Sequence, residues 1–345
     1  MAVNDIHTEI LNEIDENLDK STGGFVYDIT KAVALKLNDQ QGKVENVVDK
    51  MDIENLYEDE LRRFVFQRTG LEWKAATYAT AEILVNGSPS AIVREGDLVA
   101  AGDIFYSFTE NVIVGPNGQA RVMAVCQQPG NVGNVPIGAI NRMPVTLSGI
   151  TSVTNLKAVD NGYNAETDEE LRERYYQRLR KPGKAGNIQH YIEWAKEVVG
   201  VGKVKPIPRF NGPLTMKVLF MDSNDSLPNP RLITSVSEHI REEMPFGVTE
   251  LLVAAPETIT INVSAELTTV EGLTPNDLKP TIQTELTNYL KSLVFEANYV
   301  SIAQIGNVIL NVSGVVDYAN LTINNDTERV DIPENRVAIL GTVTV

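Results

Sequence analysis

The spacing of apolar residues changes from a helical period to a strand period near residue 79, and this change limits the folds available to the chain. Before it, apolar side chains recur every three or four positions in three segments: Ile6, Ile10, Ile14 and Leu18; Ile29, Val33, Leu37, Val44, Val48 and Met51; and Leu61 and Val65. Such spacing is typical of amphipathic helices. We therefore predict an N-terminal helical arm over residues 1–75.

The opposite faces of these predicted helices are acidic. Their carboxylates are Asp15, Glu16, Asp19, Glu45, Asp49, Glu54, Glu58, Asp59 and Glu60. Such a face is ordinarily solvent-exposed surface. The alternative is that the arm forms a helical bundle with partner chains, because a long helix with only short neighbours must bury its apolar stripe somewhere. Both interpretations remain open.

Residues 76–155 alternate between apolar and polar side chains, which is typical of strands that are buried on one face. Asn86-Gly87 lies between two strand-like runs, and Gly115–Gly118 lies between two more. Both segments are predicted to form hairpin turns. We therefore predict an antiparallel β domain over these residues.

The remaining residues alternate between helical and strand periods. After a predicted linker at 156–164, Thr167 and Glu170 form a capping box for a helix that extends to about Arg180 and stops at Pro182-Gly183. Further helices are predicted to begin at Asn187, Asn229-Pro230, Thr274-Pro275 and Ser301. We predict a first α/β domain at 165–256 and a second at 257–345.

The two α/β domains share an internal similarity. Residues 187–204 (NIQHYIEWAKEVVGVGKV) and 301–318 (SIAQIGNVILNVSGVVDY) align without a gap at a separation of 114 positions. Each contains a polar cap, a helix of three turns and a glycine, Gly200 or Gly314, before a strand. Duplication is one explanation, and chance similarity of two helix–turn–strand units is the other. The predicted fold class is α+β multidomain, with an N-terminal helical arm, an antiparallel β domain and duplicated α/β units in the C-terminal half.

The last residues also alternate in polarity. Val337, Ile339, Val343 and Val345 occupy every second position of most of this segment. We predict a strand at the edge of a sheet, which either completes the sheet of this chain or pairs with another chain.

Composition excludes several classes of partner. The net charge of −16 argues against nucleic acid and anionic membranes, because the electrostatic attraction has the wrong sign. Cys126 is the single cysteine, so we expect no internal disulfide, no multi-thiolate metal site and a buried thiol. No apolar run is long enough to span a bilayer, and the acidic start lacks the pattern of a secretory signal.

The sequence contains no motif of a catalytic or metal site. His7, His190 and His239 lie on three different predicted helices, which excludes a local pair of histidine ligands. The segment from Asp222 begins like a calcium loop, but Leu227 stands where glycine is required, so a strand-to-helix turn is expected.

Clustered acids are the strongest catalytic alternative, since two facing carboxylates can hydrolyse a glycoside. They are Asp160, Glu166, Asp168, Glu169 and Glu170. Most of them are adjacent at one helix start, where they interact favourably with the helix dipole. We therefore expect no catalytic residue, no cofactor and no metal ligand in this chain.

Four segments together resemble the baseplate J family of contractile phage tails and tail-like bacteriocins. They are GLEWKAATYATAEILV (70–85), AIVREGDLVAAGDIFYSF (91–108), GPNGQARVMAVCQQPGNVGNVPIGAI (115–140) and ETDEELRERYYQRLRKPGKAGNIQHYIEWAKEVVGVGKVKPIP (166–208). The most specific part is the T-D-E-E-L-R-x-R stretch at Thr167–Arg174, followed by Tyr191, Trp194 and Gly200. The similarity extends from about Leu61 to Val345. One departure is Asn161–Asn164, where relatives often carry a pair of glycines.

The resemblance implies a non-enzymatic baseplate wedge subunit that links wedges into a ring around the tail hub and transmits the trigger for sheath contraction. The implied partners are other wedge proteins, further copies of the chain, the tail hub or tube and fibre proteins, with neither nucleic acid nor membrane. The protein is then made in the bacterial cytoplasm and incorporated into a phage tail or a tail-like particle. Two alternatives remain: a tail-associated cell-wall glycan hydrolase, and a receptor-binding module that uses the β domain near Asn86 and Gly118.

Overall fold

The computed structural model describes residues 2–180 and 186–345, over which the chain is an α+β protein, as predicted. The helices are α1 (Val3–Glu13), α2 (Phe25–Asp49), α3 (Glu58–Thr69), α4 (Asp168–Arg180), α5 (Ile188–Glu197), α6 (Pro230–Glu243), α7 (Pro275–Leu293) and α8 (Ile302–Leu310). The strands are β1 (Tyr78–Gly87), β2 (Ile92–Val93), β3 (Leu98–Ala101), β4 (Ile104–Phe108), β5 (Val112–Ile113), β6 (Gln119–Pro129), β7 (Ile150–Asn155), β8 (Val201–Pro208), β9 (Thr215–Asp222), β10 (Glu250–Ala254), β11 (Glu257–Thr269), β12 (Tyr299–Val300), β13 (Val315–Ile323), β14 (Val330–Asp331) and β15 (Arg336–Thr344). The predicted helix stop at Pro182-Gly183 lies outside the described residues.

The chain forms two compact units. One contains the residues up to Trp73 together with Thr167–Tyr176, and the other contains Lys74–Glu166 and Gln177–Val345. The four predicted domain boundaries stay a prediction.

The first unit is helical, as the apolar spacing predicts. Its buried core consists of Ile53, Leu56, Leu61, Val65, Leu171 and Tyr175. The predicted capping box of α4 is confirmed: the Thr167 amide donates to the Glu170 carboxylate at 2.8 Å, and the Glu170 amide donates to the Thr167 hydroxyl at 3.3 Å. These bonds satisfy backbone donors that a helix start otherwise leaves unpaired.

Helix α1 ends before the last residue of the first predicted stripe. The Lys20 ammonium group donates to the carbonyl oxygens of Leu11 and Ile14 at 2.7 and 2.6 Å, which satisfies acceptors at the helix end. Leu18 therefore lies outside α1 and is exposed.

The second unit begins with a five-stranded antiparallel sheet in the order β3-β4-β6-β1-β7. On β6, Ala120, Val122, Ala124 and Cys126 are buried, while Arg121 and Met123 on the other face are exposed. The predicted alternation of this strand and the burial of its cysteine are both confirmed. This buried face belongs to the largest core of the unit.

The hairpin turn predicted at Asn86-Gly87 is wrong. Both residues belong to β1, which pairs with β6 and β7, whereas β2 pairs with β5. Gly87 is required for a close approach, because a Cβ atom there would lie 2.4 Å from the carbonyl oxygen of Gly149. The second predicted turn does form: the Gly118 amide donates to the Gly115 carbonyl at 2.9 Å.

The two α/β parts contain three-stranded mixed sheets with the same pairing pattern. In β10-β9-β8, the central strand β9 is antiparallel to β8 and parallel to β10. In β13-β11-β15, the central strand β11 is antiparallel to β13 and parallel to β15. The order along the chain differs: the central strand β9 follows its repeated helix and strand, α5 and β8, whereas the central strand β11 precedes α8 and β13. The pairing pattern therefore recurs with a permuted connectivity.

The C-terminal strand β15 completes a sheet of its own chain, because it pairs in parallel with β11. This is one of the two alternatives predicted for the last residues. Its burial is not a simple alternation, because Val337 and Ala338 are both buried and Ile339 is 37% exposed. Val337 packs in a small cluster with Met221 and Val294, whereas Ala338 belongs to the core formed by β11 and α7, so both faces of β15 are covered at this point.

Both repeated helix–glycine–strand units form as predicted. The amide of His190 donates to the Asn187 side chain at 3.0 Å, and the amide of Gln304 donates to the Ser301 hydroxyl at 3.4 Å. The glycines that follow the two helices have positive φ, 93° at Gly200 and 102° at Gly314. A β-branched residue at these positions is strained.

We predict that Gly200→Val and Gly314→Val each lower the free energy of unfolding by at least about 1–2 kcal/mol. A Cβ atom would also lie 2.6 Å from the Tyr163 ring at the first position and 2.8 Å from the Leu273 side chain at the second. Urea unfolding measures the change. Gly42→Val is the control, because Gly42 lies within α2 and a Cβ atom there would meet open space. Equal stability of the parent and the two glycine variants contradicts the assignment.

Candidate interaction surface

The exposed apolar face of α2 is the most unusual surface of the first unit. We call Val33, Leu37, Val44, Val47 and Val48 the α2 stripe. Their exposed fractions range from 46% at Val33 to 62% at Val47. An amphipathic helix normally turns such a stripe toward a core. Four of the five belong to the predicted stripe, and Val47 is an addition.

Helix α1 covers only the N-terminal half of α2. The His7 ring lies 3.0 Å from the Thr30 hydroxyl and packs edge-on against Tyr27 with a centroid distance of 4.6 Å. Thr30 and Ala34 are the buried residues of α2. Beyond Ala34, α2 continues to Asp49 without a buried side chain.

The segment after α2 is fixed by a buried arginine. Arg172 of α4 donates to the carbonyl oxygens of Ile53 and Leu56 at 3.3 and 2.6 Å, and its guanidinium group lies 5.1 Å from the Tyr57 ring. Glu169 pairs with the same guanidinium at 3.2 Å. Charge-assisted bonds of this kind are stronger than neutral ones, so the connection from α2 to α3 is held in one conformation.

Three of the acids considered for catalysis accept hydrogen bonds from residues far away along the chain. Asp160 accepts from the Asn229 side chain at 3.3 Å, Glu166 from the Lys74 amide at 3.2 Å, and Asp168 from the Glu58 amide at 2.8 Å. Each of these three carboxylates therefore has a hydrogen-bonding role in the fold.

The three histidines lie on three separate helices, α1, α5 and α6, as predicted. His190 accepts from the Gly186 amide at 3.0 Å and stacks on Trp194, and His239 lies 2.8 Å from Glu197. In the part of the chain that the structure describes, no three His, Cys, Asp or Glu side chains are grouped to hold a metal ion.

Residues 156–164 carry no helix or strand, but they are packed rather than loose. The Asn161 side chain accepts from the Thr80 amide at 2.8 Å and donates to the Thr80 carbonyl at 3.0 Å. Gly162 has no room for a side chain, because a Cβ atom would lie 2.4 Å from the carbonyl oxygen of Gly130. The Asn161–Asn164 segment is thus held by a specific set of hydrogen bonds.

Tyr163 connects this segment to the first α/β part. It is buried, belongs to the same core as Trp194, and its hydroxyl accepts from the Asn229 side chain at 3.2 Å. Burial raises the pKa of Tyr163 to about 12. The sequence carries no local signal for this packing, since the contacted residues are far away along the chain.

Asp222 lies beside this segment in the predicted strand-to-helix turn, which is confirmed. Its carboxylate accepts from the amides of Asn224 and Ser226 at 2.9 and 2.8 Å. Burial raises its pKa to about 6; the two amide bonds act against this shift, and nearby Asp225 and Asp160 add to it. This carboxylate costs stability when it is ionised.

Three sequence profiles of baseplate J-like proteins match consecutive parts of the chain. The barrel domain profile matches residues 82–162, the central domain profile 183–255 and the C-terminal domain profile 261–345. The chain belongs to the baseplate J-like family. This result confirms the resemblance that the motifs indicate, and membership assigns the chain a structural role in a baseplate.

Sequence similarity to phage-related proteins agrees with the family. The chain is 27% identical over 348 residues to the phage-like element PBSX protein XkdT of Bacillus subtilis, covering 99% of this chain and 96% of that protein. It is 25% identical over 200 residues to the baseplate protein gp47 of Escherichia phage Mu, covering 57% and 55% of the two chains. A chain of the anti-feeding prophage baseplate superposes with a TM-score of 0.43 at 11% identity, over 98% of this chain and 89% of that one.

The helices of this baseplate J-like chain do not reach the length and apolar character of a membrane span. This holds for every helix among the described residues.

The pKa of Asp222 yields a pH-dependent prediction for the baseplate J-like fold. Its pKa is raised from 3.8 to about 6, so the folded state binds the proton more tightly than the unfolded state does. The stability that the protonated group contributes is therefore lost as the pH rises through about 6. We predict that Asp222→Asn raises the free energy of unfolding at pH 7 by about 1–3 kcal/mol and leaves it nearly unchanged at pH 4.

Denaturant unfolding across this pH range measures the difference. Asp103→Asn is the control, because Asp103 is exposed and is not among the residues that shift the pKa of Asp222. A variant that is destabilised at both pH values contradicts the prediction.

Proposed function

We propose that this protein is a wedge subunit of a contractile-tail baseplate, which links neighbouring wedges into a ring around the tail hub and transmits the trigger for sheath contraction. The observation that carries the proposal is the α2 stripe, an apolar helical surface that this chain leaves exposed in a family of baseplate proteins. Burial of that stripe favours association by about 25 cal/mol for each Å² removed from water.

We further propose that the α2 stripe binds other wedge proteins, while surfaces of the second unit contact further copies of the chain, the hub or tube, and fibre proteins. Among the described residues, β15 is an edge strand of its sheet, and this supports a contact of this kind, because an edge strand presents backbone donors and acceptors to a partner. The protein would be made in the bacterial cytoplasm and incorporated into a phage tail or a tail-like particle.

We also propose that the subunit acts without catalysis. The candidate acids cap helices or accept bonds from neighbouring amides, and each candidate histidine contacts a separate partner. Its function would lie in holding partners at fixed positions.

We predict that Leu37→Asp combined with Val44→Asp prevents incorporation into particles, because a charged carboxylate at a buried interface is strongly unfavourable. The folded chain should keep its melting temperature, since both side chains are exposed. Leu35→Asp is the matched control, because Leu35 is 53% exposed on another face of the same helix.

The measurement is co-expression with the neighbouring tail proteins, followed by size exclusion and mass analysis of purified particles. The parent and the Leu35 variant should enter the assembly, and the double variant should elute as free protein. Incorporation of all three at the same level contradicts the proposal, as does a parent that never enters particles.

A further inference from the structure

The α2 stripe and the residues beside it are arranged in a heptad pattern. Positions spaced alternately by three and four residues form the seam, which contains Val33, Leu37, Gln40, Val44 and Val47. This spacing is that of the a and d positions of a coiled coil, and the neighbouring e and g positions determine which partner is accepted.

Charge is distributed unequally on the two sides of this seam. One flank carries Lys36, Lys43 and Lys50, one residue before each a-type position and seven residues apart. The other flank carries the uncharged Ala34, Gln41 and Val48.

The acids of α2 lie on its outer face: Asp28, Asp39, Glu45 and Asp49. The first sixty residues contain fifteen acidic and five basic side chains, so a row of lysines beside the seam stands out from an acidic background.

Helix α1 leaves the lysine flank open. Its His7 ring contacts Thr30, which lies on the seam, and Tyr27, which lies on the uncharged flank. Lys36 and Lys43 are exposed, and the ion pair of Lys43 with Asp39 at 2.9 Å is between side chains that are more than half exposed. Such a pair within one helix contributes little, so the lysine remains available to a partner.

A second copy of α2 does not complement these charges. In an antiparallel pair the two lysine flanks would face each other and repel, and in a parallel pair each lysine flank would face the uncharged Ala34, Gln41 and Val48. An acidic helix would pair with the lysines in either orientation.

We propose that the partner of the α2 stripe is a helix of a different protein, whose apolar seam is flanked by acidic residues at seven-residue spacing. The inference rests on the proposed wedge function and specifies its partner. The apolar seam would supply the affinity, and Lys36 and Lys43 would select the partner.

Binding of two designed peptides to the full-length protein tests the charge selection. Both peptides carry the sequence of residues 25–51 and therefore the same apolar seam. The acidic peptide carries Ala34→Glu, Lys36→Glu, Gln41→Glu, Lys43→Glu, Val48→Glu and Lys50→Glu. The basic peptide has lysine at these six positions, and a third peptide keeps the natural sequence as the equivalent of a second copy.

We expect the acidic peptide to bind the parent protein about tenfold more tightly than the basic peptide at low salt, since several pairs each contribute a few tenths of a kcal/mol. The preference should reverse in Lys36→Glu/Lys43→Glu. The preference for the acidic peptide should disappear in Lys36→Gln/Lys43→Gln. It should persist in the control Asn38→Asp/Asn46→Asp, which lowers the net charge by the same amount but on the outer face of α2. Higher salt should weaken the preference.

Equal affinities for the acidic and basic peptides overturn the proposal, as does the absence of binding by either. Tightest binding of the natural-sequence peptide identifies a second copy as the partner and also overturns it. Particle incorporation separates this inference from the wedge function: if Lys36→Glu/Lys43→Glu enters particles normally while Leu37→Asp/Val44→Asp does not, the charge selection fails and the wedge function stands.

Discussion

The arrangement of the first unit depends on an apolar helical surface that the unit itself cannot bury. Helix α2 has 25 residues, and α1 covers only its first half. The uncovered half, residues 35–49, has a length at which an isolated helix is marginal in water, and Gly42 within it further weakens helix formation. A partner that covers the α2 stripe therefore removes apolar surface from water and stabilises the helix at the same time. Folding of this half of α2 and assembly are expected to be coupled.

The second unit contrasts with this exposed surface. Its sheets bury their apolar faces within the chain, and the segment at 156–164 is fixed by side-chain hydrogen bonds to Thr80, Asn134 and Asn229. The mixed-sheet pattern that recurs around β9 and β11 gives this unit two similar α/β parts. A unit packed in this way fits the proposed role of holding neighbouring subunits at fixed positions.

Local signals in the sequence were sufficient to predict most helix starts. Thr167, Asn187, Asn229 and Ser301 each cap a helix through their own side chains, and such bonds reach only three residues along the chain. The exposed stripe was also predictable, because the apolar spacing is a property of α2 alone. The sequence does not distinguish a solvated arm from one that forms a bundle with partner chains, because it does not reveal what covers a stripe.

Long-range contacts account for what the sequence did not predict. Asn86-Gly87 matches a hairpin turn locally, but β6 and β7 pair on both sides of β1 and extend it through these residues. The Asn161–Asn164 segment resembles a linker because its glycine and asparagines favour turns, yet its partners lie up to 86 positions away. The hydrogen bonds of Arg172 join α4 to residues more than 100 positions earlier in the chain, so no local pattern in the sequence indicated them.

Hydrogen exchange of the α2 amides tests most directly the claim that α2 is buried by a partner in the assembly. We expect amides of residues 35–49 to exchange rapidly in the free protein and to be protected at least about tenfold in purified particles, while β6 is protected in both. Equal exchange of these amides in the free and the assembled protein would contradict the account.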